Sequence, residues 1–462
     1  MRQTMPRHVP APLARALFLV VPLALAACAT ASNAPAPGVP IAERFRHAGQ
    51  TPPQWPDPLW WQGFGSRELD RLMTAATNGN LDLAAAQARI RQADASLRIA
   101  GASLLPEISA GGSGGRSAGN GRTRNSYGAS LSASYEVDLW GGNAASRRAA
   151  ERTLEAYRFD AAATGISALA SLANTYFALL ADREQLRVQT ENLEAARRIL
   201  TVIRQQVAAG TATGLDLAQQ ETVVAQQEAA LPALRQAIDQ GVTAIALLIG
   251  QPPQAVSVAG DGLAGLSIPT ASPGQPAELL ARRPDVRAAE ANLAAAQADI
   301  DVARTALLPS LTLSAEAGIS GAVLGTLLRP EQQVWSLLAS VTQSVFDGGR
   351  RRGQVQLSEA QAEELLVSYR AAILTALGDV EDALVALRET TQQERLRGEA
   401  ASRAARAAEI AEAQLRLGTI NLITLLNTQQ TLFSARNALV EARLARLQAA
   451  TGLFRALGGG WR

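Results

Sequence analysis

Arg98-Ile-Ala-Gly-Ala-Ser-Leu-Leu-Pro106 returns later in the chain as Asp301-Val-Ala-Arg-Thr-Ala-Leu-Leu-Pro309, 203 positions on. Each stretch reads as a helix halted at proline, whose ring removes a backbone donor and crowds the preceding turn. Each then gives way to a segment in which apolar and polar residues alternate. Other signals come round in the same order. Asp138-Leu-Trp-Gly-Gly142 is answered by Ser344-Val-Phe-Asp-Gly-Gly349, and Ala209-Gly210-Thr211 by Leu417-Gly418-Thr419 at an offset of 208. With only two copies, a short-period solenoid is excluded. The order within each copy is helix, hairpin, very long helix, glycine break, second helix.

From Asn143 to Ala209 there is no proline and a single glycine. At 1.5 Å of rise per residue, an unbroken helix of that span reaches roughly 100 Å. The second copy, Arg350 to Leu417, is also free of proline, with Gly353, Gly378 and Gly398 as places for local bends. After Gly210 the chain returns through Leu215 to Ile249, and after Gly418 through Leu422 to Leu457, so each copy holds a helical hairpin tipped by Gly-Thr. Leu186, Leu193, Ala196 and Leu200 recur at helical spacings with Glu, Gln and Arg between them. The rods alone leave a solid coiled-coil stalk and a hollow tube both open.

The alternating segments separate the two. Leu131, Ala133, Tyr135, Val137 and Leu139 alternate with Ser130, Ser132, Ser134, Glu136 and Asp138. Leu311, Leu313, Ala315, Ala317 and Ile319 do the same against Ser310, Thr312, Ser314 and Glu316. Trp335 to Phe346 and the weaker Glu107 to Ser113 complete two hairpins, with loops expected at 114–127 and 320–332. Strands of about 9–12 residues match a tilted membrane crossing. Four strands cannot close a membrane barrel, since an open edge in lipid leaves backbone groups unpaired. The sheet must then be shared, and three subunits supply twelve strands and, from two rods each, as many helices about the same axis. The competing reading is a soluble flank of strands on a coiled-coil scaffold.

The ends and the composition bound the rest. Arg2, Arg7 and Arg15 precede an apolar run, Ala16 to Ala27, too short for a stable membrane helix, which reads as an export signal. It ends in Leu25-Ala26-Ala27-Cys28, similar to the lipobox of bacterial lipoproteins, and Cys28 is the only cysteine. No disulfide within one subunit is possible, and Cys28 is expected to be acylated, several acyl chains anchoring far better than one. Ala29 follows, not the aspartate that in many such lipoproteins signals inner-membrane retention, so the outer membrane is the expected address. Lys+Arg 43 against Asp+Glu 41 leaves a net charge of +2, scattered along the chain, and no nucleic-acid partner is indicated. Aromatics at 4% with abundant alanine favour helices packed closely on helices. The only histidines are His8 and His47, and no nucleophile and base assemble, so no catalytic residues, metal or cofactor are expected. The partition expected is signal peptide 1–27, mature N-terminal segment and linker 28–67, first repeat 68–260, inter-repeat linker 261–276, second repeat 277–458 and tail 459–462.

Five short motifs stand in order along the duplication: Trp60-Trp61-Gln-Gly-Phe64, Asp138-Leu-Trp-Gly-Gly142, Leu280-Ala-Arg-Arg-Pro-Asp-Val-Arg287, Ala306-Leu-Leu-Pro-Ser310 and Phe346-Asp-Gly-Gly349. With them the chain resembles the TolC-type outer-membrane factors, in particular the NodT-like lipoproteins of resistance-nodulation-division efflux systems. The resemblance implies a mainly α fold with a small β part. Duplicated helical hairpins would form an α-barrel tunnel in the periplasm, and four membrane strands per subunit would close a twelve-stranded barrel as a homotrimer. It also implies a periplasmic adaptor at the helical tips and an inner-membrane pump that supplies the energy, the chain itself being no enzyme. A type I protein secretion duct shares the architecture, and the lipobox favours the drug or metal efflux branch.

By the same resemblance, the periplasmic mouth narrows just after the glycine tips. The gate candidates are Asp216, its counterpart Thr424 in copy two, Asn427 one turn on, and Arg416 as a partner that would make Asp216 a latch. Many relatives carry acidic residues at the positions of Thr424 or Asn427, where three-fold symmetry would make a cation-binding ring. The neutral side chains here predict a constriction held by hydrogen bonds and packing. For Asp216 the ordinary reading is a helix N-cap or first-turn acid after Gly214, stabilised by the helix dipole. Gly210 and Gly418 read as backbone-permissive turns, and Thr211, Leu417 and Thr419 as adaptor contacts.

Overall fold

The computed structural model describes residues 38–47 and 53–461. Cys28 and the signal segment lie outside them. A short 3-10 helix, Trp60–Phe64, leads into α1 (Arg67–Gly79) and α2 (Leu81–Ala102). Strands β1 (Glu107–Gly119) and β2 (Arg122–Val137) then lead into α3 (Gly142–Ala208) and α4 (Gly214–Leu248). After an irregular linker, α5 (Pro276–Arg282) opens the second copy. It runs through α6 (Pro284–Thr305), β3 (Ser310–Gly321), β4 (Gln333–Thr342), α7 (Arg350–Arg416) and α8 (Leu422–Ala456). The duplication is kept residue for residue in length. The paired rods α3 and α7 have 67 residues each, α4 and α8 have 35, and α2 and α6 have 22.

Both long rods are unbroken. Gly353, Gly378 and Gly398 do not interrupt α7, nor does Pro232 interrupt α4. Beside each long rod runs a rod in two pieces joined end to end. In the first copy the Asn80 side chain caps the start of α2 and donates through Nδ2 to the Leu248 carbonyl at the end of α4, 2.7 Å away. In the second, Arg283 at the start of α6 donates through Nη1 to the Ala456 carbonyl at the end of α8. A helix that stops beside the start of another thus has a terminal carbonyl satisfied by the next helix's cap.

Where the four rods meet midway, the largest apolar cluster forms. Trp60 stacks on Phe454 with ring centres 5.2 Å apart, and Phe64 lies 4.9 Å from Phe177. Leu172, Leu179, Leu180 and Ile245 fill the space between them. Full burial of such side chains stabilises by about 1.5–3 kcal/mol each. This is the work of the Trp60-Trp61-Gln-Gly-Phe64 motif, a plug that locks α1, α3, α4 and α8 at one height.

The four strands form one antiparallel sheet in the order β1-β2-β3-β4. Here one expectation is corrected. The segment 114–127 is not a loop: β1 and β2 continue through it and turn over two residues, Asn120 and Gly121, with φ of 51° and 71°. Positive φ at both positions is what a twisted two-residue hairpin turn requires, and Asn-Gly supplies it. The first hairpin therefore stands well beyond the second, since β3 pairs with β2 only from Tyr127 onward. The last strand is also shorter than expected, ending at Thr342, after which Gln343 to Gly349 leave the sheet.

Candidate functional site

The sheet's register sorts its side chains near the helices into an apolar and a polar face, with Leu338 and Val334 as exceptions on the polar one. Ala110, Leu131, Ala317 and Trp335 lie in one cross-strand row, Ile108, Ala133, Ala315 and Leu337 in the next. The opposite face carries Ser109, Ser132, Glu316 and Ser336, then Glu107, Ser134, Ser314 and Leu338. Nothing in the subunit covers the apolar face: Trp335 is 82%, Leu337 76% and Val341 69% exposed. A bare apolar face of this size in water is unfavourable by roughly 25 cal/mol per Å2. With a polar reverse side, it has the make-up of a lipid-facing wall around an aqueous lumen.

Edges tell the same story. β1 and β4 have each one unpaired side and are exposed along their whole length. Below them, α3 packs against α2, α4, α6 and α8, and α7 against α6 and α8, while α2, α4 and α7 keep one side open. Among α2's residues only Ala86 and Ala93 are buried, while its counterpart α6 buries Val286, Leu293, Ile300 and several alanines. Because α2 runs into β1 and β4 runs into α7, the open sides of helices and sheet coincide.

At the tips the two copies are superposable in their bonding. Gly210 and Gly418 take φ of 74° and 70°. The Thr211 N–H reaches the Gln206 carbonyl and the Thr419 N–H the Gln414 carbonyl, at 2.9 and 3.0 Å. This is the left-handed helix stop that glycine permits without a Cβ clash. Thr211 and Thr419 also donate their hydroxyls to those same carbonyls. Leu417 is 77% exposed beside its glycine.

The returning helices start on matched caps. The Thr213 hydroxyl accepts the Asp216 N–H while the Asp216 carboxylate accepts the Thr213 N–H at 2.8 Å, a reciprocal capping box. The N–H and the hydroxyl of Thr213 both donate to the Asp216 carboxylate and hold that carboxyl below its ordinary range. In copy two the Asn421 Oδ1 accepts both the N–H and the hydroxyl of Thr424. Arg416 lies 3.7 Å from Glu412, one turn back on its own helix. Within the subunit, therefore, Asp216 is bonded to Thr213 and Arg416 to Glu412; the two are not bonded to each other. Asn427 is exposed one turn beyond Thr424.

Two polar assemblies at mid-height had no clear sequence signal. Arg283, its side chain only 10% exposed, bridges Asp285 at 2.6 Å and Asp379 at 2.8 Å besides reaching Ala456. The irregular segment that follows α4 is clamped by Glu68, which accepts the N–H groups of Ala259 and Gly260, and by Arg183, which donates to the carbonyls of Val258 and Gly260. Buried Glu184 takes the Leu263 N–H and pairs with Arg443 at 2.9 Å. Only the Arg-Arg-Pro-Asp run marked the first of these, and nothing local marks the second, whose partners are far apart in sequence. Among the described residues no group of His, Cys, Asp and Glu is arranged to hold a metal ion.

An amphipathic sheet with bare edges, set on paired rods that share those edges, defines a subunit of a membrane-embedded duct. Residues 72–251 and 276–459 match the family model described as outer membrane efflux protein, and the chain belongs to that family. It is 43% identical over 418 residues to the pyoverdine export outer membrane protein OpmQ of Pseudomonas aeruginosa, covering 87% of each chain. To the outer membrane protein OprJ of the same organism it is 31% identical, covering 96% of this chain and 95% of that one. Among solved structures, the outer-membrane channel OprN matches with a TM-score of 0.86 at 27% identity, over 93% of this chain and 98% of that one. The open state of the Neisseria gonorrhoeae MtrE outer membrane channel matches with a TM-score of 0.87 at 25% identity, over 94% and 98%. The chain is thus an outer-membrane efflux channel subunit of the TolC type.

Proposed function

We propose that three copies close into a twelve-stranded barrel above a twelve-helix periplasmic tunnel, lipid-anchored through Cys28. The duct would conduct small toxic compounds delivered by an inner-membrane resistance-nodulation-division pump through a periplasmic adaptor. The observation that carries this reading is the coincidence of open edges: β1 with α2 and α4 on one side, β4 with α7 on the other. Head-to-tail joining of those sides is heterologous, and a rotation that closes makes a ring with no free strand edge in lipid. The solvent-bare Trp335, Leu337 and Val341 speak against a water-bathed scaffold. The subunit's part in export is passive, so it is not read as an enzyme. The division into signal 1–27, segment 28–67, repeats 68–260 and 277–458, linker 261–276 and tail 459–462 belongs to the same reading.

In the periplasm, Gly210 and Gly418 set the tip turns, and Thr211, Leu417 and Thr419 meet the adaptor. Asp216, Thr424 and Asn427 narrow the mouth, with Arg416 available to a neighbouring subunit. Closure there rests on caps and packing, since copy two offers a hydroxyl and an amide where a carboxylate ring would otherwise stand. Cargo is set upstream: relatives 30–43% identical are named for pyoverdine, toluene and antibiotic export, on one architecture. The test is the mass and single-channel conductance of the purified, acylated protein in planar bilayers beside Asp216→Ala. A trimer with small, mostly closed conductance that rises in the variant supports a gated duct with Asp216 in the closure. Unchanged conductance leaves Asp216 as a cap alone, and a non-conducting protein that becomes water-soluble once its lipid is removed overturns the duct.

A further inference from the structure

The polar face of the sheet carries a separation of charge along its length. Its carboxylates sit from the helix end to mid-height: Glu107 opposite Ser134, Glu136 opposite Thr312, Glu316 opposite Ser132. Arg122 and Arg124 lie opposite Gly119 and Ser117 on that same face, in the part of the first hairpin that rises past β3. All five are exposed. The nearest carboxylate, Glu316, is level with Ser132, and from Ser132 to Arg124 is eight residues of β2, about 26 Å at strand rise. That is several times the screening length of about 8 Å in physiological salt, so the two populations do not neutralise each other. The hairpin from Ser113 to Tyr127 has three arginines and no acid, and no described residue pairs with Arg122 or Arg124. Arg116, opposite Asn125, falls on the other face and takes no part.

We propose that Arg122 and Arg124 form an anion-attracting collar at the outer exit of the barrel, repeated three times about the axis, above a carboxylate belt. The proposal rests on the duct reading, which makes the polar face the lumen. A solute bearing carboxylate or phosphate groups is repelled at the belt and drawn at the collar, where guanidinium forks match its oxygens. Low-dielectric walls focus that field and raise the local concentration of anions tenfold or more, about the range seen for charged clefts. The arginines therefore concentrate anions at the outer mouth and oppose cations entering from outside, while the belt below raises the barrier to anions passing in either direction.

Inositol hexaphosphate, added to the hairpin-tip side of the trimer in planar bilayers at low salt, reads the collar as block of the current. The wild type is expected to be blocked from that side, and Arg122→Gln/Arg124→Gln to need at least about tenfold more of the polyanion. Arg122→Lys/Arg124→Lys should stay near the wild type, and Glu316→Gln should leave tip-side block unchanged. Should the double glutamine variant fail to assemble, Arg124→Gln alone is expected to weaken block by about threefold. Block of equal strength in an assembled glutamine variant overturns the collar and leaves the duct standing. The same holds if that variant loses bound anionic lipid while its block persists, which would turn the arginines toward lipid phosphates. A wild type that neither trimerises nor conducts overturns the duct reading and the collar with it.

Discussion

Arg283 shows how one side chain can hold a junction of rods. Its guanidinium joins Asp285 and Asp379 on two helices and the last carbonyl of a third. Burial would push the Asp285 carboxyl up, but the bonds from Arg283 outweigh it and hold it down. A carboxyl depressed on folding contributes stability above its unfolded pKa and loses it as pH falls through the folded value. Arg283→Gln leaves two carboxylates, each still partly open to solvent, without their counter-charge, and thermal unfolding should show a loss of about 1–2 kcal/mol at neutral pH. That gap should narrow as pH falls below about 4, where protonation of Asp285 removes its charge. The tip glycines give a second case. Gly210→Ala and Gly418→Ala place a Cβ in the left-handed region at about 1 kcal/mol each, and faster hydrogen exchange of the Thr211 and Thr419 amides would report the frayed stops.

Elements were unevenly legible. Proline, Gly-Thr and unbroken helical spacing mark the rods to within a residue or two at each end. Strand β2 is legible along its alternating half, from Ser130, and not from Arg122 to Ala129, where glycine, serine and arginine replace the apolar set. Periodicity fails there because neither face of the projecting hairpin packs on anything; the Asn120-Gly121 pair was the signal that names the turn. Replacing it by Ala-Ala should unpair the distal hairpin, and protease nicking between Ser113 and Tyr127 should become faster than in the wild type. The cap at the returning rod makes a separate point. Thr213→Ala removes the acceptor for the Asp216 N–H and should destabilise the start of α4 by about 1 kcal/mol. If Asp216 acts only through this box, Thr213→Ala and Asp216→Ala will change conductance alike.

Over the whole molecule, the open sides make a prediction about assembly. Cysteines at Ser109 in β1 and Ser340 in β4, on strands that have no partner along one side, should cross-link between subunits on oxidation, in a background where Cys28 is acylated. Denaturing electrophoresis should show dimers and trimers for Ser109 paired with either Ser340 or Ser336, and monomer alone for every pairing tried along the two strands would contradict head-to-tail closure. Sequence by itself determined the duplication, the hairpin rods, the amphipathic strands and the absence of a histidine cluster, since these follow from local spacing and residue type. It also placed the glycine stops, whose bonds span three to five residues, but not the caps Thr213 and Asn421 that start the returning rods. What only the tertiary structure decided depends on residues remote in the chain: the Trp60–Phe454 stack, the Glu68, Arg183 and Glu184 clamp on the segment after α4, and the Arg283 bridge. The two copies have near-identical element patterns, yet α2, α4 and α7 stand at the rim while α3, α6 and α8 stand inside. That difference comes from the order in which rods pack and not from any local signal, and it sets which faces are left for a neighbour.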